Sequence, residues 1–453
     1  MIKGPLHWTF GSQKIASSFG QKGLMVPSVQ IGSPRTSRSR RLPFQYLRED
    51  SSLGARAYSR TVQLPRPNWQ TDKPSPAFGK LWLRDNCQCP KCIHPDTKQR
   101  IVQSFSIPHD IDIVDVVAPR DQPIRVEWSD GHVGRYPPSF LDRSHVNPPN
   151  KPTKRGDLQW RPFETCTPGQ KQYPTVSYSA VMASDKAVWE WLENIYRWGF
   201  CFVKDTPVNP GATEALLNRI AFIRSTHYGG FWDFTADLAF KDTAYTNEFL
   251  GAHTDNTYFT DPARLQLFHL LSHENGDGGA SLLVDGFQAA KILAEENPDH
   301  ATTLRKVGQP AHASGNENHC ITPQQHYPVF GRHVGMPLLF QIRWNNYDRS
   351  IKWDWSVDDQ YEWYEAARHF DEILRRPNME IWTQLEPGTA LIFDNFRMLH
   401  GRSAFTGKRR MCGGYINNDD FLSRYRLLKF ERKHVLNNLG NLKRVEQNPF
   451  FYI

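Results

Sequence analysis

A chain of 453 residues with 39% hydrophobic and 13% aromatic content is long enough for two domains and can fill a sizeable core. No stretch approaches the roughly 20 apolar residues of a membrane helix, which argues against a membrane protein. The net charge of +8 is no sign of nucleic-acid binding: residues 1–58 carry nine Lys/Arg and two acids, leaving only +1 on the remainder.

The first 48 residues contain no Asp or Glu and are rich in Arg and Ser, the composition of a mitochondrial transit peptide. Arg56-Ala57-Tyr58 before Ser59 resembles a matrix-processing site. Residues 1–58 are expected to lie outside the fold and to direct the chain to the mitochondrial matrix, the alternative being a basic tail without function.

Residues 60 to about 165 read as a small β-rich module. "FGKLWLRDNC" suggests a strand running into a turn, and "PIRVEWSDGHVGRYP" a hairpin around Ser129-Asp130-Gly131. Seven cysteines are an odd number, and Cys87, Cys89 and Cys92 fall within six residues, so a disulfide framework is not expected. C-x-C-x-x-C can bring three thiolates to one tetrahedral zinc, with His132 at the hairpin as the best fourth ligand. Three thiols without metal are the alternative. A closed site of this kind stabilises a domain and does not catalyse.

The Pro- and Lys-rich "NPPNKPTKRGDLQWRPF" reads as a linker. From about Tyr173 a second unit, 173–453, begins. "SDKAVWEWLENIYRWG" is an amphipathic helix capped by Ser184 or Asp185 and stopped by Gly199; "FCFVK" is a buried strand and "TEALLNRIAFI" a second helix. Short strands follow: "RLQLFHLL", "ASLLVDGF", "LLFQIRWNN", "TALIFDNFRML" and "MCGGYIN". One helix, "DQYEWYEAARHFDEILRR", interrupts them. Mainly β with flanking helices, the pattern suggests a sandwich or barrel.

Three histidine–acid triplets occur. His369-Phe370-Asp371 lies in a predicted helix, where residues two apart point about 200° apart and cannot share an ion. His94-Pro95-Asp96 follows the cysteine cluster and reads as a turn. His253-Thr254-Asp255 lies in an extended stretch, where residues i and i+2 point the same way. With His400 it would make two imidazoles and a carboxylate, a set that suits Fe(II) and leaves positions open for a co-substrate and O2. Satisfied structural histidines are the alternative. Arg409, on the next strand, is the cation a dicarboxylate co-substrate would need.

"LWLRDNCQCPKC", "AHTDNTYF", "GGASLLVDGF", "RWNNYDRS", "LRRPNMEIW" and "LIFDNFRMLHGRSAFTGKRRMCGGY" together resemble the carnitine-biosynthesis dioxygenases over about residues 78–430. This family acts on trimethyllysine and on γ-butyrobetaine. The resemblance implies a double-stranded β-helix (jelly-roll) domain with Fe(II) on His253, Asp255 and His400 and 2-oxoglutarate paired with Arg409. It also implies a zinc domain completed by His132, ascorbate to keep the iron reduced, and a homodimer. Ser281 stands where relatives usually have Thr, so a hydroxyl for 2-oxoglutarate survives.

For substrate, the resemblance aligns Tyr228, Trp232, Tyr245 and Tyr415 with a quaternary-ammonium cage. Asp242 stands where the γ-butyrobetaine enzyme has an Asn that helps hold a carboxylate; an acid there suits the α-ammonium of trimethyllysine, leaving Asn345 for the carboxylate. The expectation is C3 hydroxylation of N6,N6,N6-trimethyllysine using O2, the first step of carnitine biosynthesis. The rivals are γ-butyrobetaine hydroxylation, a taurine-type oxygenase, which would want basic groups in its pocket, and a non-catalytic zinc module, which would not need His253, Asp255 and His400 together.

Overall fold

The computed structural model describes residues 61–64, 77–93, 111–118, 122–137, 163–235, 246–315, 317–332, 338–350 and 357–438, with residues 102, 107, 108 and 110. The chain divides into two units, Met1–Val62 and Gln63–Ile453, and every element named below lies in the second. The whole of the expected targeting segment, residues 1–58, and His94-Pro95-Asp96, Asp242 and Tyr245 fall outside the described residues.

Where a strand and turn were expected, Lys80–Asp85 forms helix α1. Its burial explains why: Leu81 and Trp82 are exposed while Leu83 and Arg84 are buried, a helical face rather than a strand's alternation. The hairpin is present. Strands β1 (Ile113–Val117), β2 (Ile124–Trp128) and β3 (Val133–Tyr136) form an antiparallel sheet in that order. Ile124, Val126 and Trp128 face inward, and the turn takes a left-handed residue, Gly131, at φ 78°.

Two sheets build the larger part. The six-stranded sheet has the order β4 (Thr175–Ser177), β5 (Phe200–Lys204), β13 (Ala390–Asp394), β8 (Leu265–Glu274), β15 (Lys408–Ile416), β6 (Trp232–Thr235). The four-stranded sheet has the order β12 (Ile381–Thr383), β9 (Ser281–Asp285), β14 (Met398–Arg402), β7 (Leu250–His253). Along the chain the strands pass from one sheet to the other: β7 to β8 to β9, then β12 to β13 to β14 to β15. This alternation is the expected jelly roll. A separate pair, β10 (Phe330–Arg332) and β11 (Leu339–Ile342), lies in the segment between β9 and β12.

Alternate residues sort the core into layers. Phe200, Phe202, Leu391 and Phe393 meet Leu283, Ile381 and Met398 of the other sheet. Cys201, Val203, Ala390 and Ile392 turn to the opposite side and pack on helix α3 (Asp185–Trp198), which follows the short helix α2 (Tyr178–Ala183), through Val188, Trp191, Leu192 and Ile195. Strands covered on both faces read as unbroken apolar runs, hence "FCFVK" and "ALIF". Helix α3 carries its expected caps: Ser184 Oγ accepts from Ala187 N–H (3.2 Å) and Gly199 is left-handed at φ 87°. The second helix is α4, Pro210–Asn218, capped by Asn209.

After β9 come helices α5 (Gly286–Glu296) and α6 (Pro298–Lys306), although the sequence pattern suggests only one helix among these strands, "DQYEWYEAARHFDEILRR". They join α7 (Val357–Leu374) in covering the outer face of the four-stranded sheet through Phe287, Leu293, Leu304, Phe370 and Ile373. And "TALIFDNFRML" is two strands, β13 and β14, in different sheets, broken by a bend at Asn395-Phe396-Arg397. His369 and Asp371 sit on α7 as expected and point to different partners, Glu296 (2.8 Å) and Arg375 (2.7 Å).

Candidate active site

Strand register assembles the site. His400 in β14 lies directly opposite His253 at the end of β7, and their rings are 4.3 Å apart. Thr254 turns away: its N–H donates to Trp344 O (2.7 Å) and its hydroxyl accepts from Trp344 N–H (2.9 Å). Asp255 therefore returns to the side of His253, as expected for residues i and i+2. Asn256 follows at φ 63°, a left-handed conformation that Asn tolerates, and turns the chain away. Asp255 Oδ1 lies 3.4 Å from His253 Nε2 and 3.6 Å from His400 Nε2.

Each ligand atom is set up by its surroundings. His253 Nδ1–H donates to Gly251 O (2.8 Å), which leaves Nε2 with its lone pair. His400 is wedged between Phe268 and Phe393, at ring distances of 5.6 and 4.9 Å. Asp255 N–H donates to Asn395 Oδ1 (2.8 Å), and Asn395 Nδ2 donates back to Asp255 O (3.1 Å). Burial, with His253 close by, pushes His400 down to about 3, so it is neutral and ready to coordinate. Burial pulls His253 the same way, but Asp255 beside Nε2 favours the protonated ring and leaves its pKa raised, so a metal ion would take the place of that proton. For Asp255 burial acts upward, yet His400, His253 and the Tyr415 hydroxyl hold it well below the usual carboxylate range. Two imidazoles and a carboxylate with convergent lone pairs are a donor set suited to Fe(II).

These three residues lie in a cleft of about 980 Å³, its open mouth included. Tyr228, Trp232, Ser281, Asn345, Arg409 and Tyr415, all expected at the site, line the same cleft. Period two explains the β15 set: Arg409, Met411 and Tyr415 face inward, and Gly413 leaves the space that Trp232 fills. A Cβ on Gly413 would meet Trp232 at 2.4 Å and Leu267 O at 1.9 Å. Two arginines flank Phe405, but Arg402 donates to Thr246 O and Glu248 O (2.7 and 2.9 Å). Arg409, only 6% exposed, has no partner for Nε among the described residues. Burial, with Arg402 nearby, lowers it to about 10, so it remains a cation at neutral pH.

Asn345 also has a structural part. Its Nδ2 donates to Asp348 Oδ2 (2.7 Å) and its Oδ1 accepts from the N–H groups of Tyr347 and Asp348 (2.9 and 3.3 Å). It builds a turn, so its amide is already engaged. That turn delivers residues the sequence reading missed. Tyr347 covers His253 at 6.0 Å, and Asp348, also bonded to Thr257 Oγ1 (3.2 Å), puts a carboxylate on the cleft wall. Gln266 and Asn395 were missed too; a polar residue inside an apolar strand was the available signal for Gln266.

Away from the cleft, His132 Nε2 lies 3.3, 3.7 and 3.5 Å from Sγ of Cys87, Cys89 and Cys92. A tetrahedral ion bonded at about 2.3 Å to sulfur and about 2.0 Å to nitrogen gives S···N edges of about 3.5 Å. Arg84 donates to Asp130 Oδ2 (2.8 Å), and Asp130 Oδ1 accepts from His132 N–H (3.0 Å), which fixes the histidine's turn.

A family model described as taurine catabolism dioxygenase TauD, TfdA family matches residues 162–415, all but the last residue of the two sheets. The chain belongs to the TauD/TfdA family. A second model, gamma-butyrobetaine hydroxylase-like, N-terminal, matches residues 68–142, which hold the three cysteines and His132. A trimethyllysine dioxygenase of Neurospora crassa is 46% identical over 408 residues, covering 83% of this chain and 85% of its own. A mitochondrial trimethyllysine dioxygenase of Gallus gallus is 38% identical over 356 residues, 78% of this chain and 83% of its own. A gamma-butyrobetaine dioxygenase of a Pseudomonas species is 31% identical over 370 residues, 80% and 92%. The TauD/TfdA core of this chain thus carries the His253, Asp255, His400 cluster on the wall of its cleft.

Proposed function

We propose that the chain is an iron(II)- and 2-oxoglutarate-dependent oxygenase that hydroxylates N6,N6,N6-trimethyllysine at C3. 2-Oxoglutarate is decarboxylated to succinate and CO2, and the reaction opens carnitine biosynthesis. The observation that carries this reading is one cleft joining the His253, Asp255, His400 cluster to an aromatic wall and a buried cation, in a chain so similar to trimethyllysine dioxygenases.

Iron(II), held by these three residues, would supply the activation of O2 needed to oxidise an unactivated C–H bond. The protein's own residues orient the reactants and keep water out. Arg409 is the partner for the far carboxylate of 2-oxoglutarate, with the Ser281 hydroxyl on the same wall. Arg409→Leu is expected to raise the KM for 2-oxoglutarate about 10- to 100-fold, from the loss of one charged hydrogen-bonding group. Succinate formation measures it, and an unchanged KM would remove Arg409 from this role.

A trimethylammonium group offers no N–H, so aromatic faces are its receptor. The Trp232 and Tyr415 rings lie 6.3 Å apart at 63° to one another, and Tyr228 lines the same cleft. Tyr245 is proposed to complete the cage. Trimethyllysine also carries an α-ammonium, on the carbon next to C3, which γ-butyrobetaine lacks. The Asp348 carboxylate on the cleft wall favours an ammonium and repels a lone carboxylate, and Asp242 is proposed to act in the same sense. Incubation with equal trimethyllysine and γ-butyrobetaine, read by mass spectrometry, is expected to give hydroxytrimethyllysine first. Faster hydroxylation of γ-butyrobetaine would overturn the assignment.

Cys87, Cys89, Cys92 and His132 are proposed to hold structural zinc. One zinc per chain is expected by elemental analysis, and stripping it should lower the thermal midpoint, because metal-binding energy is folding energy here. A chain with no zinc and an unchanged midpoint would contradict this. The relative named mitochondrial and the basic, acid-free composition of residues 1–48 support a mitochondrial location.

A further inference from the structure

Two donors from adjacent strands converge on one oxygen of Asp255. Gln266 in β8 and Tyr415 in β15 are register partners, so their side chains emerge together on the face toward the cleft. Gln266 Nε2 donates to Asp255 Oδ2 at 2.7 Å, and the Tyr415 hydroxyl donates to the same Oδ2 at 2.8 Å. Gln266 and Tyr415 also touch each other, Nε2 to hydroxyl, at 3.4 Å. Both are almost wholly enclosed, at 2% and 4% exposure. The other oxygen, Oδ1, is the one that faces the two imidazoles.

We infer that Gln266 and Tyr415 are positioning residues that hold Asp255 as a one-oxygen metal ligand. The inference rests on the proposed reading of His253, Asp255 and His400 as the iron site. A carboxylate can grip a metal through one oxygen or both. Two accepted hydrogen bonds occupy both lone pairs of Oδ2 and leave only Oδ1 for the ion. Two-oxygen binding would break one or both of these bonds inside a buried site, where an unpaired donor is costly. The main chain of Asp255 is fixed independently by Asn395, so the carboxylate cannot slide to relieve the constraint. One-oxygen binding keeps three coordination positions open, as many as a chelating 2-oxoglutarate and O2 need.

Tyr415 thereby has two attachments. Its ring forms the cleft wall with Trp232, and its hydroxyl is bonded to the carboxylate that would carry the iron. One rigid side chain links the seat of the substrate cation to the metal. If the ring alone mattered, removal of the hydroxyl would leave the metal site as it was.

The test uses Tyr415→Phe and Gln266→Leu in the full chain with its zinc retained. After removal of iron, the triad is titrated anaerobically with Co(II), whose visible absorption reports coordination number. Each variant is expected to bind Co(II) about 10- to 100-fold more weakly than wild type, as for loss of other groups that orient metal ligands, and to give a changed spectrum. Tyr415→Phe should keep its KM for trimethyllysine, because the ring that meets the cation is retained. Thermal melting identifies folded variants, and the two substitutions give independent readings. Wild-type Co(II) affinity and spectrum in both would overturn the inference. So would a raised KM in Tyr415→Phe with metal binding unchanged, the signature of a cage residue alone. If the wild-type chain itself binds no Co(II) at the triad, the site reading fails and this inference with it.

Discussion

Asp255→Ala is expected to abolish measurable hydroxylation, a fall on the order of a thousandfold or more, beyond the 10- to 100-fold typical of groups that only orient a ligand. The substitution removes the single negative charge of the cluster, leaving two imidazoles with no carboxylate between them. It also strands the donors of Gln266 and Tyr415, both enclosed, at a cost of about 1–3 kcal/mol each where no new partner is found. Loss of activity should therefore come with loss of iron and some loss of stability. Iron content, succinate release and thermal melting distinguish the effects. Retained iron with retained turnover would remove Asp255 from the site.

The second large effect is on stability and lies at the bend between β13 and β14. Arg397, fully buried, donates Nε and Nη2 to the Asp285 carboxylate, Nη1 to Arg197 O (2.9 Å) and Nη2 to Glu164 O (2.6 Å). Asp285 in turn caps α5, accepting from the N–H groups of Phe287 and Gln288 (3.0 and 3.2 Å). Arg397→Leu leaves that carboxylate buried without its counter-charge, a class of change that costs about 3–5 kcal/mol. It also uncovers two carbonyls and loosens the bend that presents Asn395 to Asp255. A lower denaturation midpoint with an unchanged denaturant slope would show it. A variant within about 1 kcal/mol of wild type would contradict the account.

The same bend marks the limit of what was legible in the sequence. Most strands announced themselves as apolar runs, and helix α3 through Ser184 and Gly199, because these signals are local. So was the His253-x-Asp255 spacing, which an extended backbone turns into two ligands on one side. Nothing local distinguishes "ALIFDNFRMLHGR" as two strands in two sheets. Its polar residues find partners far along the chain: Asp394 with Arg264, Asn395 with Asp255 and Ala263, Arg397 with Asp285. Helices α5 and α6 were missed for a different reason. Asp285 and Asn297 are good caps, but each cap directly ends the preceding element, so no loop announces a boundary. The turn that Asn345 builds was not legible either, because a side chain that makes a turn looks, in sequence, like one available to a ligand.

The most direct test is anaerobic titration of the purified chain with Fe(II) and 2-oxoglutarate, followed by visible absorption. Wild type should develop a weak charge-transfer band only when both are present, and Asp255→Ala and His400→Ala should not. Absence of the band in wild type, or its persistence in both variants, would contradict the assignment of His253, Asp255 and His400 as the iron site.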